Sequence, residues 1–530
     1  MRALIESYTQ SDRPFWLALL VLIGAALFIN VSSYVSIDNG WLLLATERWL
    51  AGDTLYRDLM ETNPPLIIWL YSLPVHVGAW LGVASTHVFI IFVLILLVAS
   101  LLLARAQLAK HALLVPHAYA NTLLIALALI VFSCASPVFG QREHLWVLLI
   151  APYLFQSLAL RSEPRQSWEQ FLVASLAALG FALKPFFIVV LVANELYLAF
   201  YNRRLSWLWR RTNLVITAWG LAYIAAVATY FPEYFTRIIP LLLATYDYYK
   251  LPAWEVWKAT LIVSVFYVPA GLFVRATPEL KPISYQLLLL YAAGCAVQII
   301  QQKGWYNHYY AMFFFGSLLV SVTFIRQLRA QIIKREMPGR LTFAALCCCA
   351  FMIVLPPIAE PIRLWDPIGG NKILSQIEEA IEQRAAGKNI MVFSYNLQSA
   401  FPLRNYSYGH YVGRFNHLCP MPAVAYAKPE KLTPEQAKQI AEIKAYLLQS
   451  VTEDMERFKP ALVVVDRGAE TEEPKGIGFI AFFSQDKRFA KLWKSYVKYK
   501  DVDVPPHNAL EASVETTKHE LPLYTIYIRK

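Results

Sequence analysis

The sequence predicts a polytopic α-helical membrane protein with a soluble α/β domain at its C-terminal end. Three observations lead to this prediction. Of the 530 residues, 57% are hydrophobic and only 16% are charged, whereas soluble proteins carry about 25% charged residues. Apolar runs such as HVFIIFVLILLVASLLLA recur from residue 15 to residue 357, and each is about long enough to cross a hydrocarbon core of ~30 Å. After residue 357 the composition becomes that of a soluble domain.

The apolar runs predict about eleven membrane spans. The Lys and Arg residues of the loops fall on alternate sides if the N-terminus is cytoplasmic and the tail lies outside. This requires that residues 64–83 do not cross, and their Pro74, His76 and Gly78 favour a re-entrant or interfacial helix. The first run lacks a small-x-small cleavage site and is expected to remain as a span. The predicted spans are 15–33, 86–104, 118–136, 145–161, 169–185, 186–201, 212–230, 259–275, 284–302, 308–325 and 341–357.

The chain is predicted to divide into two domains. Residues 1–357 form the transmembrane domain, in which residues 36–83 are an outer loop with juxtamembrane helices. Residues 358–530 form a soluble extracytoplasmic domain. The two parts are distinguished by the end of the apolar runs, so the boundary follows from composition.

Local signals in the tail predict alternating helices and strands. GGNKILSQIEEAIEQRAAG is amphipathic and ends at Gly387. A long helix starts with Thr433 as N-cap, Pro434 at its first position and Gln436 as the capping-box partner. The segments NIMVFSY, ALVVVD and LYTIYIRK predict strands. These elements together indicate a small α/β domain.

The net charge of +11 does not indicate a nucleic-acid partner. The basic residues gather in the loops that are predicted to be cytoplasmic, which is a signal of topology rather than of a binding patch. Five of the six cysteines lie in or beside apolar spans, and Cys419 is the only one in the tail. Neither a disulfide framework nor a cysteine metal cluster is therefore predicted in the tail.

Polar segments are predicted to gather at the outer ends of the spans. They are the first loop with Asp38, FGQREHLW at 139–146, LKPFF at 183–187 and QQKGWYNHYY at 301–310. Ionisable residues next to lipid are costly, so several on one face indicate a functional site. A carboxylate there can take a proton from an attacking hydroxyl, and cations can hold a leaving phosphate. A lipid-linked sugar phosphate matches this chemistry, because its tail lies in the bilayer and its phosphate lies at the surface.

Each candidate also has a structural interpretation. Asp38 either serves in catalysis or caps the helix NGWLLLATERWLA, and Asn63 caps a helix that starts at Pro64. Glu143 is otherwise a surface ion-pair partner of its neighbours. The remaining cations are then interface side chains, namely Lys184, Lys303 and His308. The other acids of the first loop are expected to be solvated, namely Glu47, Asp53, Asp58 and Glu61.

The segment WLAGDTLYRDLMETNPPL, which follows an N-terminal span, resembles the first outer loop of the GT-C superfamily of membrane glycosyltransferases. This superfamily includes lipid A aminoarabinose transferases and protein O-mannosyltransferases. GFALKPFF and QQKGWYNHYY resemble later segments of the same proteins, in the same order, over about the first 310 residues. The resemblance implies a GT-C fold and transfer of a sugar from a polyprenyl phosphate donor.

The resemblance also implies roles for individual residues. Asp38 takes the place of the catalytic acid and general base, and Glu143 takes the place of a second acid that positions the acceptor or a cation. The donor phosphate is assigned to Tyr56, Arg57, Lys184, Lys303 and His308. Arg142 and His144 are weaker candidates for contacts with the acceptor and are otherwise ion-pair partners of Glu143. Independently of the resemblance, Arg404 and Arg414 in the aromatic loop of the tail are weak candidates for contacts with the acceptor or donor, and are otherwise surface arginines. The sequence departs from the family where Asp38 is followed by Asn39 rather than by a second acid, and where the second-loop acid is Glu143 rather than Asp.

The predicted function is therefore inverting glycosyl transfer from a polyprenyl-phosphate donor to a hydroxyl of an envelope glycan, lipid or protein. The reaction is expected on the outer side of a bacterial inner membrane. No cofactor is firmly predicted, and a divalent cation near Asp38 and Glu143 is the one candidate. The alternatives are a transporter or flippase of a lipid-linked or anionic substrate, and a non-catalytic subunit of an envelope-assembly complex. Transporters tend to place ionisable groups near the membrane midplane and to carry internal repeats, and the sequence shows neither feature.

Overall fold

The computed structural model shows a predominantly helical chain with one small sheet. The structure describes residues 13–110, 123–125, 127–129, 131, 138–165, 167–274, 280–303, 306–334, 372–395, 397, 401, 403–427, 432–467, 478–502 and 523–530. The chain forms two compact units. The helical unit is Met1–Ser33, Leu81–Ala226 and Lys250–Trp365, and the sheet unit is Tyr34–Trp80, Val227–Tyr249 and Asp366–Lys530.

The helices and strands are named in chain order. The helices are α1 Arg13–Ser32, α2 Ile37–Leu50, α3 Leu66–Leu81, α4 Ser85–Ala109, α5 Arg142–Ser157, α6 Trp168–Ala182, α7 Ile188–Tyr201, α8 Arg211–Tyr230, α9 Ile239–Thr245, α10 Ala253–Val274, α11 Lys281–Gln301, α12 Tyr310–Lys334, α13 Lys372–Ala385, α14 Leu403–Tyr406, α15 Met421–Ala425, α16 Pro434–Phe458, α17 Phe479–Phe483 and α18 Lys487–Trp493. The strands are β1 Asn389–Phe393, β2 His410–Tyr411, β3 Leu462–Asp466, β4 Tyr496–Val502 and β5 Tyr524–Arg529.

Among the described residues, four helices are long and apolar enough to cross a membrane. They are Phe15–Ser32, Ser85–Ala109, Arg211–Tyr230 and Lys281–Gln301. Helices α5, α6 and α7 have 14 to 16 residues, fewer than the about 20 that a perpendicular span needs. Two of the predicted spans, most of 118–136 and all of 341–357, lie outside the described residues. The eleven spans and their orientation therefore stay predictions.

Close packing in the helical unit depends on small residues. Helix α11 packs against α7, α10 and α12, and α5 packs against α4 and α6. A Cβ on Gly294 would lie 3.1 Å from the backbone carbon of Ala311, and one on Gly180 would lie 2.8 Å from Ile150 Cγ2. Glycine at these two positions lets neighbouring helices approach closely, as is common between helices in membranes. All 16 residues of α5 are buried.

A buried ion pair joins α7 to the start of α8. Glu195 accepts hydrogen bonds from Arg210, whose Nε lies 3.0 Å away, and from Asn213 at 2.7 Å. Tyr153 of α5 also donates to Glu195. A buried carboxylate is tolerated only when it is paired and hydrogen-bonded. This network thus fixes three helices, and the sequence analysis did not identify it.

The sheet has the order β2-β1-β3-β5-β4. Strands β2, β1 and β3 are parallel, and β5 pairs antiparallel with both β3 and β4. All five residues of β3 are buried, as expected of a central strand. The predicted strands at β1, β3 and β5 are confirmed, as is the capping box of Thr433 and Gln436. Gly387, with φ of +66°, follows α13 as predicted.

The first loop is tied to the tail within the sheet unit. Arg48 Nη1 donates to the carbonyl oxygen of Gly413 at 2.7 Å, and Met60 N–H donates to that of Arg414 at 2.7 Å. Helix α3, with 16 residues, is about 24 Å long and thus shorter than a hydrocarbon core of ~30 Å. The compact sheet unit therefore combines the first loop with residues of the tail. The predicted division at residue 357 lies outside the described residues.

Replacement of Gly140 by alanine is expected to destabilise the helical unit. Gly140 has φ of +75°, and a Cβ there would lie 2.3 Å from Phe89 Cζ. The left-handed backbone costs an alanine about 1–2 kcal/mol, and the clash adds about 1–3 kcal/mol. Gly82→Ala is the matched control, because Gly82 has φ of +67° and no atom within 4 Å of its added Cβ. Thermal unfolding of the purified variants should show a clearly larger decrease in stability for Gly140→Ala than for Gly82→Ala. Equal decreases would contradict the predicted clash with Phe89.

Candidate active site

The predicted site residues fall into one group in each unit. In the helical unit, several of them lie near enough to one another to interact electrostatically. We call this set the Glu143 cluster: Arg142, Glu143, Lys184, Lys303 and His308. The sheet unit holds the others, namely Asp38, Tyr56, Arg57, Arg404 and Arg414.

Glu143 lies in the first turn of α5, directly after the turn at Gly140. The Gly140 N–H donates to Nδ1 of His144 at 2.9 Å, which holds the turn against the helix. Glu143 is only 2% exposed. His144 is fully buried as well, so the structure gives it a role in shaping this turn, and its contact to an acceptor stays a prediction.

Lys184 reaches Glu143 from the break between α6 and α7. It precedes Pro185 and has an extended backbone with φ of −144° and ψ of 135°, because the residue before a proline avoids helical conformation. The chain then makes a short 3₁₀ turn, in which Phe187 stacks on Trp146 of α5 with ring centroids 4.3 Å apart. The ammonium group of Lys184 forms a buried ion pair with Glu143 Oε1. The LKPFF segment therefore places a cation beside the acid of the FGQREHLW segment.

Lys303 follows the end of α11. Gln302 takes the left-handed conformation with φ of 50° and ends the helix, and its carbonyl accepts from Leu251 N–H at 2.8 Å. This bond holds the neighbouring Lys250 near Lys303. Burial lowers the pKa of Lys303 to about 8, and the positive charges of Lys250 and Lys184 act in the same direction. Lys250 was not among the predicted site residues, and no local motif marks it.

The described residues around Glu143 carry an excess of positive charge. The cations are Arg142, Lys184, Lys250 and Lys303, and His308 lies near them in the turn Tyr306–Tyr309. Glu143 forms an ion pair with Lys184 and lies near Arg142, and Lys303 lies near both Lys184 and Lys250. Such an arrangement attracts an anion, and lysine binds phosphate as a compact charge.

In the sheet unit, Asp38 lies in the first turn of α2 and is half-buried. The N-cap of this helix is Ser36, whose Oγ accepts from Asn39 N–H at 3.4 Å. The alternative that Asp38 caps the helix is therefore wrong. Asn39 has a structural contact of its own, since its Oδ1 accepts from Tyr71 Oη at 2.8 Å. Asp38 is thus an acid in the first turn whose side chain is not the helix cap.

The sequence predicts that Glu61 is solvated, and the structure shows that this prediction is wrong. Glu61 is 0% exposed rather than solvated, and it accepts hydrogen bonds from Trp41 Nε1 and from Asn63. The expectation for Glu61 is wrong because its partner Trp41 is 20 residues away on α2. The expectation for Asn63 is also wrong, because α3 begins at Leu66 and the Asn63 side-chain amide donates to Glu61.

Tyr56 and Arg57 occupy a tight loop. Tyr56 has φ of 72°, which is strained for a bulky residue, and its N–H donates to the carbonyl of Leu59 at 2.8 Å. The Tyr56 hydroxyl donates to the carbonyl of Asn63 at 2.7 Å. Arg57 is exposed and forms an ion pair with Glu233. Their assignment to the donor phosphate stays a prediction.

Arg414 is fixed by a carboxylate pair on α16. Its Nη2 lies 2.8 Å from Asp454 Oδ1 and 3.0 Å from Glu453 Oε2. Burial raises the pKa of Asp454, although Arg414 opposes the effect. For Arg404, the side chain lies outside the described residues. The expected contacts of both arginines with an acceptor or the tail loop stay predictions.

The residues around Glu143 do not suit a divalent cation. Mg²⁺ and Ca²⁺ prefer several oxygen ligands, whereas Glu143 is paired with Lys184 and lies near Arg142. In the part of the chain that the structure describes, no group of three or more His, Cys, Asp or Glu is arranged to hold a metal. No step of the reaction is therefore assigned to a metal.

The structure is similar to that of ArnT from Cupriavidus metallidurans bound to undecaprenyl phosphate. The TM-score is 0.50 at 11% identity, over 86% of this chain and 93% of that chain. The chain has the GT-C fold. This fold was the one implied by the sequence resemblance, which is thereby confirmed. At 11% identity the likeness concerns the fold alone.

Two further structures are similar to this chain. One is the archaeal oligosaccharyltransferase AglB from Archaeoglobus fulgidus in complex with an inhibitory peptide and a dolichol-phosphate, with TM-score 0.47, 12% identity and coverage of 92% of this chain and 73% of that chain. The other is the arabinofuranosyltransferase AftD from Mycobacteria, with TM-score 0.43, 15% identity and coverage of 98% and 40%. No protein-family model and no curated protein matches the sequence.

The pair of Lys184 and Glu143 is expected to behave as a buried ion pair. Lys184→Met leaves a buried carboxylate without its ion-pair partner, which should lower the free energy of unfolding by about 3 kcal/mol. The double variant Lys184→Met/Glu143→Gln should lose much less stability, because the buried carboxylate is removed together with its partner. Thermal and denaturant unfolding in detergent micelles would measure both.

The control for this prediction is an exposed ion pair of the same unit. Lys110 and Glu169 lie 2.6 Å apart with side chains 54% and 34% exposed. Lys110→Met should cost less than about 1 kcal/mol. A single Lys184→Met variant as stable as the double variant would contradict the predicted coupling.

Proposed function

We propose that the protein is an inverting glycosyltransferase that moves a sugar from a polyprenyl-phosphate donor to a hydroxyl of its acceptor. The observation that carries this proposal is the group of lysines near Glu143, of which Lys184 and Lys303 are buried. The GT-C fold supports it, and ArnT, the similar structure, holds undecaprenyl phosphate. A phosphate on a lipid is the anion that this cluster would suit.

The proposed reaction is a single displacement. The acceptor oxygen forms a bond to the anomeric carbon while the bond from that carbon to the phosphate oxygen breaks. The electron pair of that bond leaves with polyprenyl phosphate, and the hydroxyl proton goes to the carboxylate of Asp38, the proposed general base. Positive character develops at the anomeric carbon, and attack from the opposite side inverts its configuration.

The Glu143 cluster is proposed to hold the donor phosphate. The phosphate gains a negative charge as the sugar leaves, and Lys184, Lys250 and Lys303 stabilise that gain. Glu143 Oε1 holds Lys184 in place, whereas Oε2 is buried without a hydrogen-bond partner among the described residues. This second oxygen is the proposed contact of Glu143 with the acceptor. His308 is proposed as a further contact of the phosphate.

The finer features are proposals as well. We propose about eleven spans, a cytoplasmic N-terminus, and a division into a transmembrane domain 1–357 and an extracytoplasmic domain 358–530. The proposed location is the bacterial inner membrane, and the acceptor is an envelope glycan, lipid or protein. A transporter is not favoured, because the buried mid-helix acid Glu195 is occupied by Arg210 and Asn213.

Asp38→Asn is expected to abolish transfer without unfolding the protein. The purified protein would be incubated with radiolabelled polyprenyl-phosphate sugars and cell-envelope acceptors, and the release of polyprenyl phosphate measured. Loss of a general base should lower kcat by about 10²- to 10⁴-fold, and the unfolding temperature should stay unchanged because Ser36, not Asp38, caps α2.

Glu47→Gln provides the control, because Glu47 is another acid of α2. This variant should retain activity. Full activity of Asp38→Asn, or the absence of any released polyprenyl phosphate with every donor, would overturn the proposed mechanism.

The affinity for undecaprenyl phosphate is expected to fall as the pH rises through about 8. Lys303 has a pKa of about 8, lower than the usual 10.5. A bound phosphate favours the charged lysine, so binding takes up a proton above that pH and weakens by up to about tenfold per pH unit. The ligand itself is already a dianion there, since its second pKa is about 6.

Titrations of the protein with undecaprenyl phosphate at about pH 7.5 and about pH 9.5 would measure how its affinity depends on pH. Lys303→Arg keeps its charge over this range and should flatten the profile while binding persists. An identical pH profile in Lys303→Arg would show that another group is responsible.

A further inference from the structure

A cleft lies in the sheet unit. Its volume is about 620 Å³, within the about 300–1,000 Å³ that is usual for small-molecule sites. The lining residues come from the first loop, from the segment 227–249 and from the tail, and they are Arg57, Asp58, Arg237, Arg414, Glu453, Glu456 and Arg457. We call it the arginine cleft. Four guanidinium groups and three carboxylates thus line one cavity.

Most of these arginines are engaged with the protein. Arg414 is held by Asp454 and Glu453 and forms part of the wall. Arg457 lies 3.3 Å from Asp58, and the two side chains are 61% and 34% exposed. Exposed pairs of this kind contribute little and exchange partners readily. The Arg457 side chain is therefore available to a ligand at small cost.

Arg237 differs from the other three arginines. It lies in the π-helical turn Tyr234–Ile238, an uncommon conformation that occurs often at functional sites. Its guanidinium carbon lies 4.5 Å from the centroid of the Tyr446 ring. Within the part of the chain that the structure describes, Arg237 forms no ion pair and donates no hydrogen bond. Stacking on the ring orients the guanidinium while its N–H groups remain open to an acceptor.

The mixture of charges restricts the ligand. A nucleic acid or an anionic membrane surface would be favoured by cations alone, and the carboxylates of Asp58, Glu453 and Glu456 would repel it. Those carboxylates can instead accept hydrogen bonds from hydroxyl groups. The guanidinium fork of Arg237 suits a phosphate or a carboxylate. A hydroxyl-rich molecule with one acidic group satisfies both requirements.

We propose that the arginine cleft binds an acidic saccharide, whose phosphate or carboxylate is held by Arg237 and whose hydroxyls are held by the cleft carboxylates. This saccharide is part of the acceptor, a role that rests on the function proposed above. Arg457 supplies a second donor after it leaves Asp58. The acceptor class is then an acidic glycan rather than a neutral one.

The test is direct binding to the full-length protein in detergent micelles. Glucuronic acid, glucose 6-phosphate and, as the neutral comparison, glucose would each be titrated into the protein. Ligand-observed NMR would measure the binding of each sugar. Both acidic sugars should bind about tenfold or more tightly than glucose, because a charge-assisted hydrogen bond is made only by the acids. A preference for one acid over the other identifies the carboxylate or the phosphate as the recognised group.

The variant Arg237→Gln should remove this preference. The matched control is Arg384→Gln, since Arg384 lies in the same unit with its guanidinium carbon 4.7 Å from the Tyr499 ring and does not line the cleft. The control should bind the acidic sugars as the native protein does. An unchanged unfolding temperature for both variants confirms that the comparison concerns binding.

Two results would overturn the proposal. One is equal binding of acidic and neutral sugars, or acid binding that persists in Arg237→Gln. The other is a loss, in Arg237→Gln, of binding to phosphatidylglycerol vesicles alone, which would indicate a lipid surface. If binding of the acidic sugars depends on Arg237 but no sugar is transferred, the binding site in the cleft is supported and the proposed glycosyltransferase function is refuted. If transfer proceeds equally to neutral and acidic acceptors, the enzyme stands and this assignment fails.

Discussion

The ion pair of Lys184 and Glu143 is the interaction on which the helical unit depends. Glu143 is almost completely buried at the start of α5, and an uncompensated carboxylate there would be costly. Lys184 lies in the break between α6 and α7, where the following Pro185 favours its extended backbone. The pair also keeps one negative charge beside lysines that otherwise repel one another. The fold and the charge of the candidate site therefore have the same origin.

The same physical rule organises the sheet unit with different partners. Glu61 is buried against Trp41 and Asn63, and Arg414 is buried against Asp454. The contacts of Glu61 with Trp41 and of Arg414 with Asp454 span 20 and 40 positions. Arg48 donates to the carbonyl of Gly413, and Arg457 forms an ion pair with Asp58, so charged residues also link the first loop to the tail. In the helical unit, small residues allow close helix packing.

The sequence predicted features that depend on neighbouring residues. The capping box of Thr433 and Gln436 requires only four consecutive positions, and the buried strand β3 is a short apolar run. Membrane helices were predictable for the same reason, since length and hydropathy are local. Lys184, Lys303 and His308 were selected by their position at span ends, and the structure places them together with Glu143.

The errors concern contacts between distant residues. Lys250 is held near Lys303 by a backbone hydrogen bond from Leu251 across 51 positions, which no sequence window contains. Glu61 looked like a surface acid because its indole partner lies on another helix. Asp38 was considered as a cap because Ser36 and Asp38 are both good capping residues, and only the geometry distinguishes them.

The two candidate ligand surfaces differ in the cation they use, and the difference has a physical basis. Lysine is a compact charge whose pKa shifts on burial, as at Lys303. It suits a phosphate whose charge changes during a reaction. Arginine keeps its charge and offers a planar fork, and at Arg237 the fork is oriented by Tyr446. It suits recognition of an acidic group that does not change. This difference is consistent with the proposal that the lysines hold the donor and the arginines hold the acceptor.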